Sequence, residues 1–367
     1  MPEIVLTLDG EKRTVRIERA CPYHPPPKPL QSRVAYAAAH IVAKGDGIDW
    51  EQTLAYRRHL WSYGLGVAEA MDTAQRGMGL TWKMAREFIA RSLAEAQGPM
   101  VCGAGTDQLG ESAAIAEIIA AFEEQCEWIE SRNGRVILMA SRALARTARS
   151  ADDYLRVYSK IFSQLQRPAI LHWLGDAFDP HLAGYWGSSD LDEATETCLG
   201  LIRQHADKID GIKISLLQAR REIEMRGRLP AGVRMYTGDD FHFDELIRGD
   251  GARHSDALLG IFDAIAPVAS AAIQALDNGR LDEYQRILAP AMPLSRLIFE
   301  APTYFYKTGI VFLAWLNGHQ DEFRLLGGLE SARSIEHLSK LLILAEHAGV
   351  LRDPELACAR MQGLLAK

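Results

Sequence analysis

Short apolar segments alternate with amphipathic segments from residue 33 onwards. The apolar segments have the length and β-branched content of buried strands, and the segments between them repeat apolar positions at helical spacing. The predicted strands cover residues 34–42, 65–71, 100–104, 136–140, 169–173, 209–214, 234–237 and 256–259. The clearest predicted helices cover residues 50–61, 81–96, 111–131, 151–164 and 190–205.

Eight strands with helices between them are typical of parallel βαβ units. Eight such units in about 250 residues match the size of a closed barrel. We therefore predict an α/β fold, a (β/α)8 TIM barrel over residues 33–266. A doubly wound open sheet is the alternative, but the glycine-rich loop at residues 103–110 has the wrong final spacing for a dinucleotide fingerprint.

The two ends of the chain have a different pattern. Residues 3–18 alternate around a turn at Asp9-Gly10, which predicts a β-hairpin, and the proline run at 25–27 indicates an extended connector. Residues 1–32 thus form a separate N-terminal piece, and we expect its hairpin, residues 3–18, to lie outside the barrel and to cover its base. Residues 267–367 show only helical patterns, among them 331–348, and are predicted to form a C-terminal helical extension.

Composition and charge exclude several classes of protein. The 367 residues include 24% charged residues and carry a formal net charge of -7 without a Lys/Arg cluster, which argues against a nucleic-acid partner. No apolar run is long enough to span a bilayer, and the start of the chain lacks a signal-peptide layout. The five cysteines are scattered without metal-type spacing, so we expect a cytoplasmic protein without structural disulfides.

One charged residue interrupts the most apolar strand, residues 209–215. Lys213 lies inside this segment, and burial of an ammonium group is costly and lowers its pKa. A neutral amine attacks carbonyl carbons, which makes Lys213 a candidate covalent nucleophile. The alternative is a lysine at a strand end whose head group reaches solvent.

Other candidate residues lie where the predicted strands end, because the chemistry of a barrel sits at the C-terminal ends of its strands. Asp72 or Asp239 could instead cap turns or helices, His172 could be a core histidine, and Arg142 a solvated charge. Asp240, His242 and Asp244 alternate as metal ligands can, although a solvated helix start gives the same pattern. The candidates are Asp72, Thr73, Ser141, Arg142, His172, Lys213, Asp239 and Asp240.

Several segments together resemble the dihydrodipicolinate synthase and N-acetylneuraminate lyase family. They are Gly-Ile-Lys at 211–213, Thr-Gly-Asp-Asp at 237–240, the loop at 45–49 and the strand at 99–105. The resemblance covers roughly residues 33–350. It implies a (β/α)8 barrel, a homo-oligomer (dimer or tetramer), no cofactor, and a class I aldolase-type lysine at Lys213.

The sequence departs from this family at three places, which indicates a divergent branch. The family's Gly-Thr-Thr-Gly-Glu loop, which binds a 2-oxo acid carboxylate, is replaced by residues 71–75, where Thr73 remains and Asp72 adds a negative charge. The Pro-Tyr-Tyr segment with the proton-relaying tyrosine is replaced by Ala140-Ser141-Arg142, and His172 stands where strand five has a tyrosine.

These features predict a Schiff-base-forming lyase or aldolase that acts through Lys213 on a small-molecule carbonyl compound, either a 2-oxo acid or a keto-sugar. His172 is the predicted acid/base group, since its ordinary pKa lies near 6.5. Asp72, Thr73, Ser141 and Asp239 are predicted to bind substrate, and Arg142 to hold a carboxylate or phosphate at its far end. The alternatives are a metal-dependent barrel isomerase or aldolase that uses Asp72, His172, Asp240 and His242, and a non-catalytic sugar-binding scaffold.

Overall fold

The fold was analysed in a computed structural model that describes residues 2–110 and 112–366. Eight parallel strands close into a barrel in the order β3-β6-β7-β8-β9-β10-β11-β12 and back to β3, which confirms the predicted TIM barrel. The strands are β1 (Glu3–Leu8), β2 (Glu11–Arg16), β3 (Ala35–Ala38), β4 (Ala43–Lys44), β5 (Gly47–Ile48), β6 (Gly66–Glu69), β7 (Met100–Ala104), β8 (Arg135–Leu138), β9 (Ala169–Leu174), β10 (Ile209–Ser215), β11 (Arg234–Thr237) and β12 (Asp256–Leu259).

The helices follow the predicted alternation and continue beyond the barrel. They are α1 (Trp50–Ser62), α2 (Trp82–Ala94), α3 (Ile115–Glu130), α4 (Arg142–Thr147), α5 (Ala151–Gln164), α6 (Leu191–Gln204), α7 (Ala219–Arg228), α8 (Phe243–Arg248), α9 (Ile261–Ala264), α10 (Ala266–Asp277), α11 (Leu281–Leu288), α12 (Ala291–Ile298), α13 (Tyr306–Leu316), α14 (Ile335–His347) and α15 (Pro354–Leu365). The helix predicted over 111–131 begins at Ile115, and Glu111 lies outside the described residues. No helix within residues 2–110 or 112–366 is long and apolar enough to cross a membrane.

The predicted first barrel strand, 34–42, is shorter than expected. After β3 ends at Ala38 the chain stays buried, but it leaves the sheet and forms the small hairpin β4–β5 before α1. The Asp49 side chain then caps α1 by accepting a hydrogen bond from Gln52 N. Burial alone, which the sequence pattern reports, does not distinguish a strand from a buried loop at this edge.

Alternate residues of the barrel strands fill its interior. Tyr36, Ile170 and Tyr236 belong to one buried cluster there, and the Tyr236 hydroxyl donates to Asp210 near the start of β10. Glycines make space for the two tyrosine rings, because a Cβ at Gly66 or Gly211 would lie within 2.6 Å of a ring carbon. The tyrosine rings therefore fill part of the barrel interior. Side chains further along the strands face the C-terminal mouth of the barrel.

The N-terminal hairpin lies outside the barrel, as predicted, but it packs on the C-terminal extension. Ile4, Leu6 and Leu8 are buried on one face of β1, which contacts α14 and α15. The Asp9 carboxylate accepts a hydrogen bond from Lys340 of α14 at 2.9 Å. The expectation that the hairpin covers the barrel base is therefore corrected, since its apolar face is matched by the extension helices.

Candidate active site

Lys213 lies in the middle of the barrel strand β10 and is buried, with 7% of its surface exposed. Its side chain runs past Gly238 at the end of β11, where a Cβ would lie 2.7 Å from Lys213 Cε. Burial lowers the pKa of the Lys213 amine, and the nearby charges of Asp72 and Asp240 partly offset this effect. The amine is therefore held inside the barrel rather than at its outer surface.

His172 is the neighbour of Lys213 in the adjacent strand β9. Its Nε2 lies 3.3 Å from Ser215 Oγ, and its Nδ1 lies 4.0 Å from Asp72 Oδ2. Within the described residues, Nδ1 has no hydrogen-bond partner although it is buried. Burial and the charge of Lys213 hold the pKa of His172 well below its ordinary value, so the imidazole is neutral near pH 7.

The loop after β6 places Asp72 and Thr73 at the mouth of the barrel. Thr73 is buried, and its hydroxyl lies 2.9 Å from the hydroxyl of Tyr306, the first residue of α13. The Asp72 side chain is 29% exposed, and its charge acts on Lys213. Asp72 thus lies between the buried lysine and the open mouth.

The two adjacent aspartates after β11 have different surroundings, which corrects the placement expected for Asp239. Its carboxylate accepts hydrogen bonds from the backbone N–H groups of Phe241 and His242 and lies 3.0 Å from the His242 ring. Asp239 therefore closes a local turn before α8 instead of facing Lys213.

Asp240 is the member of this pair whose charge acts on Lys213. It is buried and accepts a hydrogen bond from Ile261 N at 2.9 Å. Burial raises the pKa of Asp240, and the charge of Lys213 opposes that rise. Burial thus raises the pKa of the Asp240 carboxyl and lowers the pKa of the Lys213 amine, and both groups lie inside the barrel mouth.

The start of α4 carries two predicted substrate-binding residues, Ser141 and Arg142, whose contacts and exposure differ. The Ser141 hydroxyl accepts a hydrogen bond from Leu144 N and lies 2.6 Å from Thr106 Oγ1, so it caps α4 and is not free to bind substrate as expected. Arg142 donates through Nε to Asp179 and keeps 34% of its side chain exposed. It shares the lining of a cavity of about 310 Å³ with Asp72.

Two residues of the C-terminal extension reach the site without having been identified in the sequence. Tyr306 stacks on Phe299, with ring centroids 4.5 Å apart, and its hydroxyl meets Thr73. Burial holds the pKa of Tyr306 well above its ordinary value. Lys307 is buried, with 3% of its surface exposed. Lys307 precedes the apolar segment 308–316, whereas Lys213 was identified because it lies inside an apolar strand, so the sequence signal is weaker at Lys307.

The metal-dependent alternative requires Asp72, His172, Asp240 and His242 to converge on one metal ion, and they do not. The His242 ring is engaged with Asp239, whereas Asp72 and His172 lie at the barrel mouth. Across residues 2–110 and 112–366, no group of three or more His, Cys, Asp or Glu side chains is arranged to hold a metal ion.

Comparisons with other proteins agree with the fold and add a family match. A family model described as "Protein of unknown function (DUF993)" matches residues 4–367, whereas a comparison with curated proteins returns no match. Solved structures of dihydrodipicolinate synthases have the same fold. The enzyme from Aquifex aeolicus superposes with a TM-score of 0.68 at 13% identity, covering 87% of this chain and 99% of that chain.

Two further structures give similar values. The 4-hydroxy-tetrahydrodipicolinate synthase from Methylacidiphilum fumariolicum SolV has a TM-score of 0.67 at 17% identity, covering 90% of this chain and 99% of its own. A dihydrodipicolinate synthase from Acinetobacter baumannii, complexed with pyruvate, has a TM-score of 0.67 at 15% identity, covering 87% and 100%. At these identities the likeness concerns the fold, and the chemistry has to be derived from the residues at the site.

Proposed function

We propose that this chain, which belongs to the family described as protein of unknown function (DUF993), is a Schiff-base-forming lyase or aldolase. The observation that carries the proposal is the buried Lys213 amine in the barrel interior, with a lowered pKa and with Gly238 leaving space beside it. The neutral amine attacks the carbonyl carbon of a small-molecule substrate, and water leaves. The resulting protonated imine accepts the electron pair of a breaking C–C or C–O bond.

Proton transfer in this reaction is assigned to His172, and hydrogen bonding at the mouth to Tyr306. Because the His172 imidazole is neutral, it acts as a base through the buried Nδ1 that faces Asp72. This differs from the expectation of an imidazole poised near its ordinary pKa. Tyr306 keeps its proton and donates a hydrogen bond at the mouth, where Thr73 orients its hydroxyl. Tyr306 of the extension thus supplies the phenol that is missing from Ala140-Ser141-Arg142, the segment in place of the family's Pro-Tyr-Tyr.

The charges around Lys213 restrict the substrate. Asp72 opposes a carboxylate directly beside the carbonyl carbon, because like charges that close are unfavourable. Its oxygens accept hydrogen bonds from hydroxyl groups, which favours a keto-sugar or sugar acid over a simple 2-oxo acid. Arg142 lines the same cavity and is proposed to bind an anionic group further from the carbonyl.

Borohydride trapping read by intact mass tests the proposal. Purified protein is incubated with pyruvate, dihydroxyacetone or sugar acids and then reduced, which converts an imine to a stable secondary amine. We expect an adduct with at least one compound in the wild-type protein and none in Lys213→Arg, because a guanidinium forms no imine. Lys208→Arg is the matched control, since Lys208 lies just before the same strand and donates to Leu165 O.

The possible outcomes separate the proposed function from its alternatives. Equal trapping in the wild-type protein and Lys213→Arg would contradict the imine at this residue. An absence of trapping together with sugar binding would favour the non-catalytic scaffold. Metal-dependent turnover that a chelator abolishes would favour the isomerase or aldolase alternative.

The assembly and location of the protein stay proposals, the assembly resting on the resemblance and the location on the scattered cysteines. We propose a homo-oligomer, either a dimer or a tetramer, in the cytoplasm. Sedimentation of the purified protein measures the assembly directly, and a monomer at micromolar concentration would contradict it.

A further inference from the structure

The C-terminal extension contains a second cavity, of about 930 Å³, away from the barrel mouth. It lies between helices α13, α14 and α15, and the loop of residues 317–334 closes one side of it. Small-molecule sites in proteins have volumes of roughly 300–1,000 Å³. Within the described residues, no side chain assigned to the active site lines this cavity, so it is a separate space.

Much of the cavity wall is apolar. The rings of Trp315 and Phe323 stack there with their centroids 5.7 Å apart. Helix α14 adds Leu338, helix α15 adds Leu364, and Ile335, the first residue of α14, keeps 44% of its surface exposed. Contiguous apolar surface that stays open to water in a cavity is typical of a binding site. This wall fits an apolar chain or ring.

Two arginines of the same lining lack a close carboxylate partner within the described residues. Arg360 donates to the carbonyl oxygens of Trp315 and Gln320, and its Cζ lies 5.6 Å from the centroid of the Trp315 ring. Arg324 has a carboxylate oxygen of the exposed Asp46 3.9 Å away. Burial lowers the pKa of Arg360, and a bound anion favours its charged form. The cavity therefore offers positive charge beside an apolar wall.

The acidic side chains of the lining do not neutralise these arginines. The Glu330 carboxylate accepts a hydrogen bond from Leu325 N at 3.0 Å, and the Asp321 carboxylate accepts one from Gln52 Nε2 at 2.8 Å. Glu322 is exposed to solvent. Across residues 2–110 and 112–366, none of the three forms an ion pair with an arginine of the cavity.

We propose that this cavity binds a small amphiphilic carboxylate, whose apolar body lies against the aromatic and aliphatic wall and whose anionic head pairs with Arg324 and Arg360. Charge-assisted hydrogen bonds to guanidinium groups hold the head, and burial of the apolar body supplies the remaining affinity. The proposal goes beyond the proposed lyase or aldolase activity. It does not depend on that activity, because it uses none of the residues around Lys213.

Titration calorimetry with four probes on the full chain tests the proposed chemistry. The probes are decanoate, octanoate, 1-octanol and acetate. We expect decanoate to bind and octanoate to bind on the order of tenfold more weakly, since two fewer CH₂ groups are buried. We expect 1-octanol, which lacks the charge, to bind more weakly than octanoate, and acetate, which lacks the apolar body, not to bind.

Ile335→Asp localises the binding to this cavity. Ile335 is exposed, and an acidic side chain is favourable in the first turn of a helix, so the variant should fold. Its carboxylate repels the ligand head, and we expect the affinity for decanoate to fall by about tenfold or more. Leu281→Asp is the matched control, because Leu281 is the first residue of α11, is 47% exposed and does not line the cavity.

Arg324→Gln tests the anionic head by itself. Arg324 is partly exposed and makes only the long contact with Asp46, so its removal should leave the fold intact. We expect octanoate to bind about threefold or more weakly than in the wild-type protein, and 1-octanol to bind equally well. Arg286→Gln on α11, whose side chain is 76% exposed, is the control and should behave as the wild-type protein.

The outcomes that overturn the proposal are distinct. They are a failure of decanoate to bind, equal affinity in the wild-type protein and in an Ile335→Asp variant with unchanged thermal unfolding, and binding of 1-octanol as tight as that of octanoate. A smaller assembly of Ile335→Asp in sedimentation, without decanoate binding to the wild-type protein, would assign the surface to a second copy of the chain and overturn the ligand site.

Discussion

Asp72 is the residue on which the charges of the site converge. Its carboxylate raises the pKa values of Lys213 and Lys307, which burial lowers, and it lies 4.0 Å from the unpaired Nδ1 of His172. In this position its charge opposes the effect of burial on the pKa of both amines. In the proposed mechanism it would also oppose an incoming carboxylate, so we propose that the same residue acts on the nucleophile and on the choice of substrate.

Removal of the Asp72 charge should lower the pKa of Lys213. In Asp72→Asn the amine of Lys213 loses an attractive neighbour, so its pKa should fall further and more of it should be neutral at a given pH. We expect the pH profile of borohydride trapping to shift to lower pH, and pyruvate to be trapped better relative to dihydroxyacetone. The exposed Asp46→Asn serves as control. A profile that stays in place or moves to higher pH would contradict this role.

His172 should affect turnover and not the formation of the covalent adduct. His172→Ala removes the proposed base but leaves Lys213 and its access unchanged. We expect borohydride trapping to persist, while turnover of a substrate identified by trapping slows by roughly 10²–10⁴-fold. A variant that turns over at the wild-type rate would assign the proton transfer to another group.

At the scale of elements, the site is built by pieces that are distant in the chain. Strand β10 supplies Lys213, the end of β11 makes room for it at Gly238, and helix α13 delivers Tyr306 and Lys307. The loop after β6 is tied to the extension, since the Gln75 side chain bonds both backbone groups of Leu326. The extension therefore packs against the loop that carries Asp72 and Thr73.

The junction of β10 and β11 gives a steric test. A Cβ at position 238 would lie 2.2 Å from Ser215 Oγ and 2.7 Å from Lys213 Cε, so Gly238→Ala must displace both side chains. We expect a loss of about 1–3 kcal/mol in unfolding free energy, as for other overpacked sites, together with weaker trapping. Urea unfolding measures the first effect and intact mass the second.

Gly200→Ala provides the matched control for this substitution. Gly200 lies within α6, and a Cβ there would meet no atom within 4 Å. The alanine should stabilise the helix by about 0.5–1 kcal/mol and leave trapping unchanged. If Gly238→Ala behaves like this control, the close packing of Lys213 against Gly238 is not important for the site.

At the scale of the whole molecule, the barrel is what the sequence predicts best. Buried parallel strands are continuous apolar segments, and three of them, Met100–Ala104, Arg234–Thr237 and Asp256–Leu259, have the predicted bounds. The position of Lys213 inside the barrel follows from the same pattern. The apolar pattern ends where each strand ends. It therefore predicts which residues lie near the barrel mouth, but not the direction of each side chain there.

The parts of the site that the sequence did not predict lie beyond the strands. Asp239 and Asp240 are adjacent, and only the turn that Asp239 makes with His242 determines which carboxylate acts on Lys213. Tyr306 and Lys307 lie far along the chain from the barrel strands, and their approach depends on how the extension helices pack. Local patterns carry no information about such packing.

The stability of the whole chain should depend on pH through Glu222, a buried residue of α7. Burial raises its pKa from about 4.5 to about 8, so the folded protein retains a proton that the unfolded chain releases between these values. Stability should therefore fall as pH rises through this window. Glu222→Gln cannot ionise and should reduce the loss by roughly 1–4 kcal/mol.

Urea midpoints measured on both sides of this window test the prediction for Glu222. The control is Glu224→Gln on the exposed face of the same helix, which should follow the wild-type protein. A difference between Glu222→Gln and the wild-type protein that is constant with pH would contradict the assignment.

The most direct measurement is the location of the reduced adduct by peptide mass spectrometry. Among residues 2–110 and 112–366, the buried lysines with lowered pKa values near the mouth are Lys213 and Lys307, and intact mass does not distinguish them. After reduction with the best-trapped carbonyl compound, we expect the added mass on the peptide that contains Lys213, and an unmodified peptide for Lys307. An adduct on Lys307 or on surface lysines, with Lys213 unmodified, would contradict the proposed nucleophile.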